Sequence, residues 1–116
     1  MISFKERLSL KERKRQSDVV LKKHPGRIPV IVERAKTEKN IALIDRSKFL
    51  VPGDFSVGQL LYIVRKRIKI KPEEGIFFFV GNSLLSTSSL LSEVYEKEKD
   101  QDNFLYVSYC GERTFG

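Results

Sequence analysis

Lys48-Phe49-Leu50-Val51-Pro52-Gly53-Asp54-Phe55-Ser56-Val57-Gly58-Gln59-Leu60-Leu61-Tyr62-Ile63-Val64-Arg65-Lys66-Arg67 reads as a short strand, a turn and a helix. Pro52-Gly53 is turn chemistry, because Pro presets φ and Gly accepts the positive φ that other residues resist. Ser56 with Gln59 fits a capping box, so the helix should start at Val57. Val57, Leu61, Val64 and Ile68 then fall on one apolar stripe. Leu60, Tyr62 and Ile63 widen that stripe beyond a single core-facing face. Such surplus must be covered by the rest of the chain or by a partner.

The chain around this stretch has 116 residues, enough for one domain with its own core. A hydrophobic content of 41% and a charged content of 32% fit a soluble globular protein. No apolar run reaches the ~18 residues a membrane span needs. The N-terminus is charged from Lys5 onward and lacks an apolar leader core, so a cytosolic start is expected. The single cysteine, Cys110, excludes an internal disulfide and fits a reducing compartment. Net charge is +7 and uneven: residues 1–24 hold 8 Lys+Arg against 3 Asp+Glu. A basic arm of this kind suits an acidic membrane, an acidic protein such as tubulin, or nucleic acid; it also suits no partner, as a solvated helix face.

Along the chain, Ser3/Glu6 and Ser9/Glu12 are successive capping boxes, predicting a one-turn helix near 4–8 and a longer one over 10–23. In the second, Leu10, Val20 and Leu21 form a thin apolar edge, and Lys11, Arg13, Lys14 and Arg15 are expected outside. His24-Pro25-Gly26 stops it. Residues 28–33 and 48–51 read as strands, with Pro29 near the start of the first. Residues 76–80 read as a strand, Gly81-Asn82 as a turn, and Ser88 or Ser89 as the cap of a short helix holding Leu90, Leu91, Val94 and Tyr95. A charged loop over 96–103 leads to a last strand at 104–109. Four strands with one helix across them predict an α+β fold of two layers. Placing the first and last strands together at the centre gives the ubiquitin-like β-grasp, here with two extra N-terminal helices. The expected organisation is a helical arm at 1–24, a core at 25–110 and a flexible tail at 111–116.

No catalytic pattern is present. The one His stands at a helix end, Cys110 has no His near it in sequence, and no Cys/His cluster has metal spacing. No phosphate loop exists, and no cofactor is called for. Arg65 to Lys71 holds five basic residues in seven. Nucleic acid is still not expected as a main partner, because the aromatics at 76–80 feed a core strand. The terminal Phe115-Gly116 is more informative. A glycine carboxylate has no side chain, so a narrow enzyme channel can adenylate it and pass it to a thiol and then an amine.

Arg27-Ile28-Pro29-Val30-Ile31-Val32-Glu33, Lys48-Phe49-Leu50-Val51-Pro52, Val57-Gly58-Gln59, Ile63-Val64-Arg65-Lys66-Arg67-Ile68, Phe77-Phe78-Phe79-Val80, Phe104-Leu105-Tyr106-Val107 and Phe115-Gly116 closely resemble the autophagy ubiquitin-like modifiers of the GABARAP type. The resemblance covers nearly the whole chain. It implies a non-enzymatic modifier whose terminal glycine, Gly116 here, is joined to phosphatidylethanolamine by activating and conjugating enzymes and released by a cysteine protease. It implies a cytoplasmic pool and a lipidated pool on autophagosomes or related membranes. It also implies capture of aromatic-x-x-aliphatic peptides from cargo receptors, added along the 48–51 edge.

By position, the aromatic pocket involves Val20, Pro29, Ile31, Lys48, Leu50 and Phe104. The aliphatic pocket involves Phe49, Val51, Pro52, Phe55, Leu60, Ile63 and Val64. Arg27, Lys48 and Arg67 would meet acidic groups of the ligand, and Phe77 and Phe79 the conjugation machinery. Three departures stand out. Many relatives carry residues beyond the glycine. Leu85-Ser86 lacks prolines common there. Phe49 and Leu60 replace a common Tyr and Phe. An adaptor that is never conjugated, and that works through the basic arm on microtubules or acidic membranes, is the alternative.

Overall fold

In the computed structural model, which describes residues 2–112, the helices are α1 (Phe4–Arg7), α2 (Leu10–Lys23), α3 (Val57–Ile68) and α4 (Leu91–Glu98). The strands are β1 (Arg27–Arg34), β2 (Lys48–Pro52), β3 (Ile76–Val80), β4 (Ser83–Leu84) and β5 (Leu105–Gly111). They form one sheet in the order β2-β1-β5-β3-β4. The first and last strands are parallel neighbours at its centre, the β-grasp arrangement, and the other pairs are antiparallel.

The chain chooses this layering because β1 is apolar on both faces. Ile28, Val30 and Val32 point into the main core with Val57, Leu60 and Val64 of α3. Ile31 points the other way, into a smaller core with Phe4 and Phe104. A strand covered on both sides sits in the middle of a sheet. The Phe4 and Phe104 rings meet edge to face, centroids 5.2 Å apart, which fastens α1 over that second face.

The sheet has five strands where four were expected. Gly81, at φ 58°, and Asn82 make the predicted turn, and Ser83 and Leu84 return opposite Val80 and Phe79. Two residues are too few to show an alternating pattern. Gly53 does not take a positive φ; its role is close approach, since a Cβ there would stand 3.3 Å from the Gly26 carbonyl oxygen. Neither Ser88 nor Ser89 caps α4. Leu90 holds the cap position without a side-chain bond, while the Ser89 carbonyl accepts the Val57 N–H at 2.9 Å. β5 runs through Gly111, whose N–H donates to Glu38 Oε1 at 2.7 Å.

Polar residues supply further corrections. Glu12 does not complete the second capping box: Ser9 accepts the Glu12 N–H, but the Glu12 carboxylate turns to Arg15 at 2.6 Å. Arg13 is not outside. It is 8% exposed and lies 3.4 Å from Asp102, itself fully buried in the stretch expected to be a solvated charged loop. Asp102 also accepts the Phe104 N–H at 2.8 Å and the Tyr106 hydroxyl, and its carbonyl accepts the Ser17 hydroxyl at 2.6 Å. This network binds α2 to the loop before β5.

Candidate functional site: an open strand edge between two apolar hollows

β2 is the outermost strand on its side of the sheet. Two bonds beyond its ends fix the phase of its ladder. Val32 N–H donates to the Ser47 carbonyl at 2.8 Å, and Gly53 N–H to the Gly26 carbonyl at 3.0 Å. In an antiparallel ladder bonded and non-bonded pairs alternate. Val30/Phe49 and Ile28/Val51 are therefore bonded pairs, while Ile31/Lys48 and Pro29/Leu50 are not. Lys48 and Leu50 consequently turn their N–H and C=O out of the sheet. The Lys48 carbonyl already accepts Arg46 Nε at 3.0 Å. Leu50 presents its main-chain pair to solvent.

Side chains alternate across the same strand. Lys48 and Leu50 share the α1–α2 face with their cross-strand partners Ile31 and Pro29. Leu50 and Val20 are half-buried there, and Ile31 and Phe104 form the floor. Lys48 Nζ donates to Gln16 Oε1 at 3.0 Å, joining strand to α2. Its ammonium also lies 5.9 Å from the centre of the Phe4 ring.

Phe49 and Val51 point to the α3 face. Phe55 and Ile63 are half-buried, pack against the main core and form the accessible part of this second apolar surface; Pro52, the last residue of β2, is half-buried too. Arg67 and Ile63 are one turn apart on α3, and Arg67 grips Asp45 in the loop before β2, so Ile63 faces the open edge. Phe49, Val51, Leu60 and Val64 lie beneath. Leu60 is fully buried, so the chain's own core covers it and it is no part of an exposed surplus on α3. Leu61 and Ile63 are half-buried, and Tyr62 is exposed, with Lys66 stacked 4.5 Å from its ring centre.

The three expected cations differ in state. Arg67 is held by Asp45 through two bonds of 3.0 and 3.1 Å. Lys48 is held by a neutral amide. The Arg27 side chain, opposite Pro52, has no hydrogen-bond partner among the described residues. Phe77 and Phe79 lie on the face of β3 opposite Ile76 and Phe78 and are half-buried. Gly116 and Phe115 lie outside the described residues.

Sequence reasoning missed four supporting residues: Phe4 behind the first hollow, Gln16 at its mouth, Arg46 on the Lys48 carbonyl, and Asp45 on Arg67. A lone aromatic in a charged arm was the available sign for Phe4. The others depend on long-range placement. Among the described residues nothing resembles a reacting centre. Burial, then Glu38, pushes the Cys110 thiol above its usual range. Burial, then Asp102, pushes the Tyr106 phenol the same way. Among the described residues no His/Cys/Asp/Glu group stands ready for a metal, and no helix is long and apolar enough to cross a membrane.

Residues 12–116 match the family model described as "Autophagy protein Atg8 ubiquitin like". The chain is 52% identical over 114 residues to "Autophagy-related protein 8d" of Arabidopsis thaliana, covering 98% of this chain and 94% of that one. It is 48% identical over 113 residues to "Autophagy-related protein 8" of Schizosaccharomyces pombe, covering 97% and 93%. The crystal structure of Trypanosoma brucei ATG8 superposes with a TM-score of 0.91 at 36% identity, covering 100% of this chain and 99% of that one. The chain therefore belongs to the Atg8 family of ubiquitin-like autophagy proteins, and it is not an enzyme.

Proposed function

We propose that this protein is a membrane-conjugated modifier that holds cargo receptors through a short peptide added to β2. One observation carries the peptide reading. Half-buried apolar side chains lie on both faces of a strand whose Leu50 main chain is unpaired, Leu50 itself towards α1–α2 and Phe55 and Ile63 towards α3, and we read them as two apolar hollows. In an extended ligand, residues three apart point to opposite sides. An aromatic-x-x-aliphatic segment therefore places its aromatic group over Pro29, Ile31, Leu50 and Phe104, and its aliphatic group over Pro52, Phe55 and Ile63. With the aromatic group beside Lys48 and Leu50 and the aliphatic group beside Phe55 and Ile63, past the C-terminal end of β2, the ligand runs in the direction of β2. Main-chain bonds to Leu50 supply register, and the hollows supply selectivity.

Conjugation rests on the terminal glycine and on family membership. The Gly116 carboxylate is activated by ATP, releasing pyrophosphate. The adenylate is displaced by a cysteine thiol, releasing AMP. The thioester then acylates the amine of phosphatidylethanolamine and frees the thiol. The two lipid chains anchor the product, since one chain alone binds a bilayer only marginally. Phe77 and Phe79, half-buried on the far side of the sheet from α3, are the proposed contact for the conjugating and deconjugating enzymes. The expected sites of action are autophagosomal or related membranes, reached from the cytoplasm.

The test incubates the protein with the family's activating and conjugating enzymes, ATP and phosphatidylethanolamine liposomes, and reads intact mass. The expected product is a lipid adduct on the wild type and on Leu50→Asp, and none on Gly116→Ala. No wild-type adduct, with enzymes active on another family member, would leave an adaptor working through the basic arm on microtubules or acidic membranes.

A further inference from the structure

β5 outruns its neighbour β1, and a buried carboxylate takes over where β1 stops. The N–H of Ala35, just past the end of β1, donates to the Tyr109 carbonyl at 2.8 Å, so the Tyr109 main chain faces β1. Main-chain groups alternate sides along a strand, so Cys110 faces β3 and Gly111 faces the β1 side again. β1 ends at Arg34 and offers Gly111 no acceptor. Glu38 Oε1 accepts the Gly111 N–H instead, at 2.7 Å. On the β3 side Gly111 lies opposite Ile76, a non-bonded pair in this phase, so Glu38 is what holds the Gly111 N–H.

Glu38 is itself fixed. It is 2% exposed, and its Oε2 accepts the Asn40 N–H at 2.8 Å and the Ile41 N–H at 3.1 Å. Arg34 donates to the Ile41 carbonyl at 2.8 Å, and the Tyr109 hydroxyl to the Ala42 carbonyl at 2.6 Å, so the loop that carries Glu38 is tied to both central strands. The fit around Gly111 is close: a Cβ there would stand 2.9 Å from Ile41 Cδ1. Burying a carboxylate is unfavourable unless its oxygens are satisfied. Here the two oxygens join residues 38–41 to the last residue of β5. The peptide reading of β2 makes no use of this clamp.

We propose that Glu38 is a positioning residue for conjugation: it fixes where, and in which direction, the terminal segment leaves the core, and so delivers Gly116 to the reacting centres of the enzymes. The inference rests on the reading of Gly116 as the conjugated residue. Gly116 stands five residues past Gly111, at most about 18 Å away along an extended chain. Phe77, the proposed enzyme contact, is the cross-strand partner of Cys110, one residue before Gly111. The clamp therefore sets Gly116 relative to the surface on which an enzyme sits. Without it the last fixed main chain is that of Cys110, the reach grows to about 22 Å, and the exit direction is lost. A docked enzyme then finds the glycine in place less often.

Initial rates test this. The family's activating enzyme and ATP charge an excess of conjugating enzyme with the full chain, whose concentration is varied. Docking of the core sets KM, and delivery of the glycine sets kcat. Glu38→Ala is expected to lower kcat at least about threefold with KM unchanged. Lost stability acts differently, because this chain is the substrate: an unfolded fraction raises apparent KM and leaves kcat as it is. Glu38→Gln keeps the volume and one acceptor, but whichever way the amide turns, its NH2 faces an N–H. It is expected to lose part of the same kcat. A kcat within about twofold of wild type in both variants, with or without a change in KM, overturns the inference while conjugation stands. No charging with the wild type, by enzymes active on another family member, overturns both.

Discussion

Lys48 Nζ donates to Gln16 Oε1 at 3.0 Å, a bond between the edge strand and α2 across the mouth of the first hollow. The partner is a neutral amide, so the ammonium keeps its full charge. A ligand carboxylate beside the aromatic anchor adds to this arrangement without displacing a counter-ion. Affinity for such a peptide is expected to fall as salt rises from low ionic strength to about 0.15 M, where charges more than ~8 Å apart are screened. In Lys48→Gln the slope flattens. Fluorescence titrations at several salt concentrations check this; an unchanged slope would place the carboxylate elsewhere.

Leu60 and Ile63 lie three residues apart on α3 and have separate duties. Leu60 is fully buried in the main core, whereas Ile63 is half-buried at the open edge. Leu60→Ala should cost about 2–5 kcal/mol of stability. Ile63→Ala should cost much less stability and weaken peptide binding several-fold. Urea unfolding and peptide titration on both variants separate the two effects.

Asp102→Ala takes from the buried Arg13 the one carboxylate within ion-pair distance among the described residues and leaves only the more distant charge of Asp100. Arg13 Nε and Nη1 are already buried without hydrogen-bond partners among the described residues, so the carboxylate 3.4 Å away is what compensates the guanidinium. Removing one partner of such a pair costs about 3–5 kcal/mol. The exposed Lys99–Glu96 pair serves as a control, with Glu96→Ala expected to change stability by less than about 0.5 kcal/mol. Equal effects of the two substitutions in chemical denaturation would contradict this assignment.

Acid should loosen the N-terminal arm first. Burial raises Asp100, but its bond to Lys5 at 2.6 Å and the Asp102 N–H outweigh burial and hold it below its ordinary 3.8. Arg15, then Gln16, draws Glu12 down to about 2. Groups whose carboxyls are depressed in the folded state stabilise it above their unfolded values. That contribution is lost as pH falls through the folded ones. Stability of α1 and α2 should therefore be flat above about pH 5 and decline below 4. Lys5→Ala shrinks the Asp100 part of the decline, leaving the share of the Asp102 N–H. Hydrogen exchange or near-ultraviolet dichroism against pH reads the result.

Much of this molecule was legible in its sequence, for identifiable reasons. Capping at Ser3 and Ser56 and the His24-Pro25-Gly26 stop are local signals, and local signals survive folding. The β-branched run at 28–33 announced a strand, placed beside the last one at the centre; its cover on both faces is seen only in the fold. Arg13 and Asp102 were misplaced because each looks solvated alone; only the fold of the 88 residues between them brings them together. Leu60 was misread because helical spacing counts apolar residues but does not say how deep each one sits. The open edge was anticipated, but its outward-facing Leu50 amide follows from the phase of the ladder, which two bonds beyond the strand ends decide.

Strand addition at β2 predicts one unambiguous observable, the Leu50 amide. Titrating the nitrogen-15-labelled protein with an aromatic-x-x-aliphatic peptide should shift that resonance and slow its exchange with solvent by at least about tenfold, as its N–H gains a partner. The Phe49 and Val51 amides, already paired within the sheet, should change far less. A peptide that binds tightly yet leaves Leu50 exchange unchanged would contradict the account.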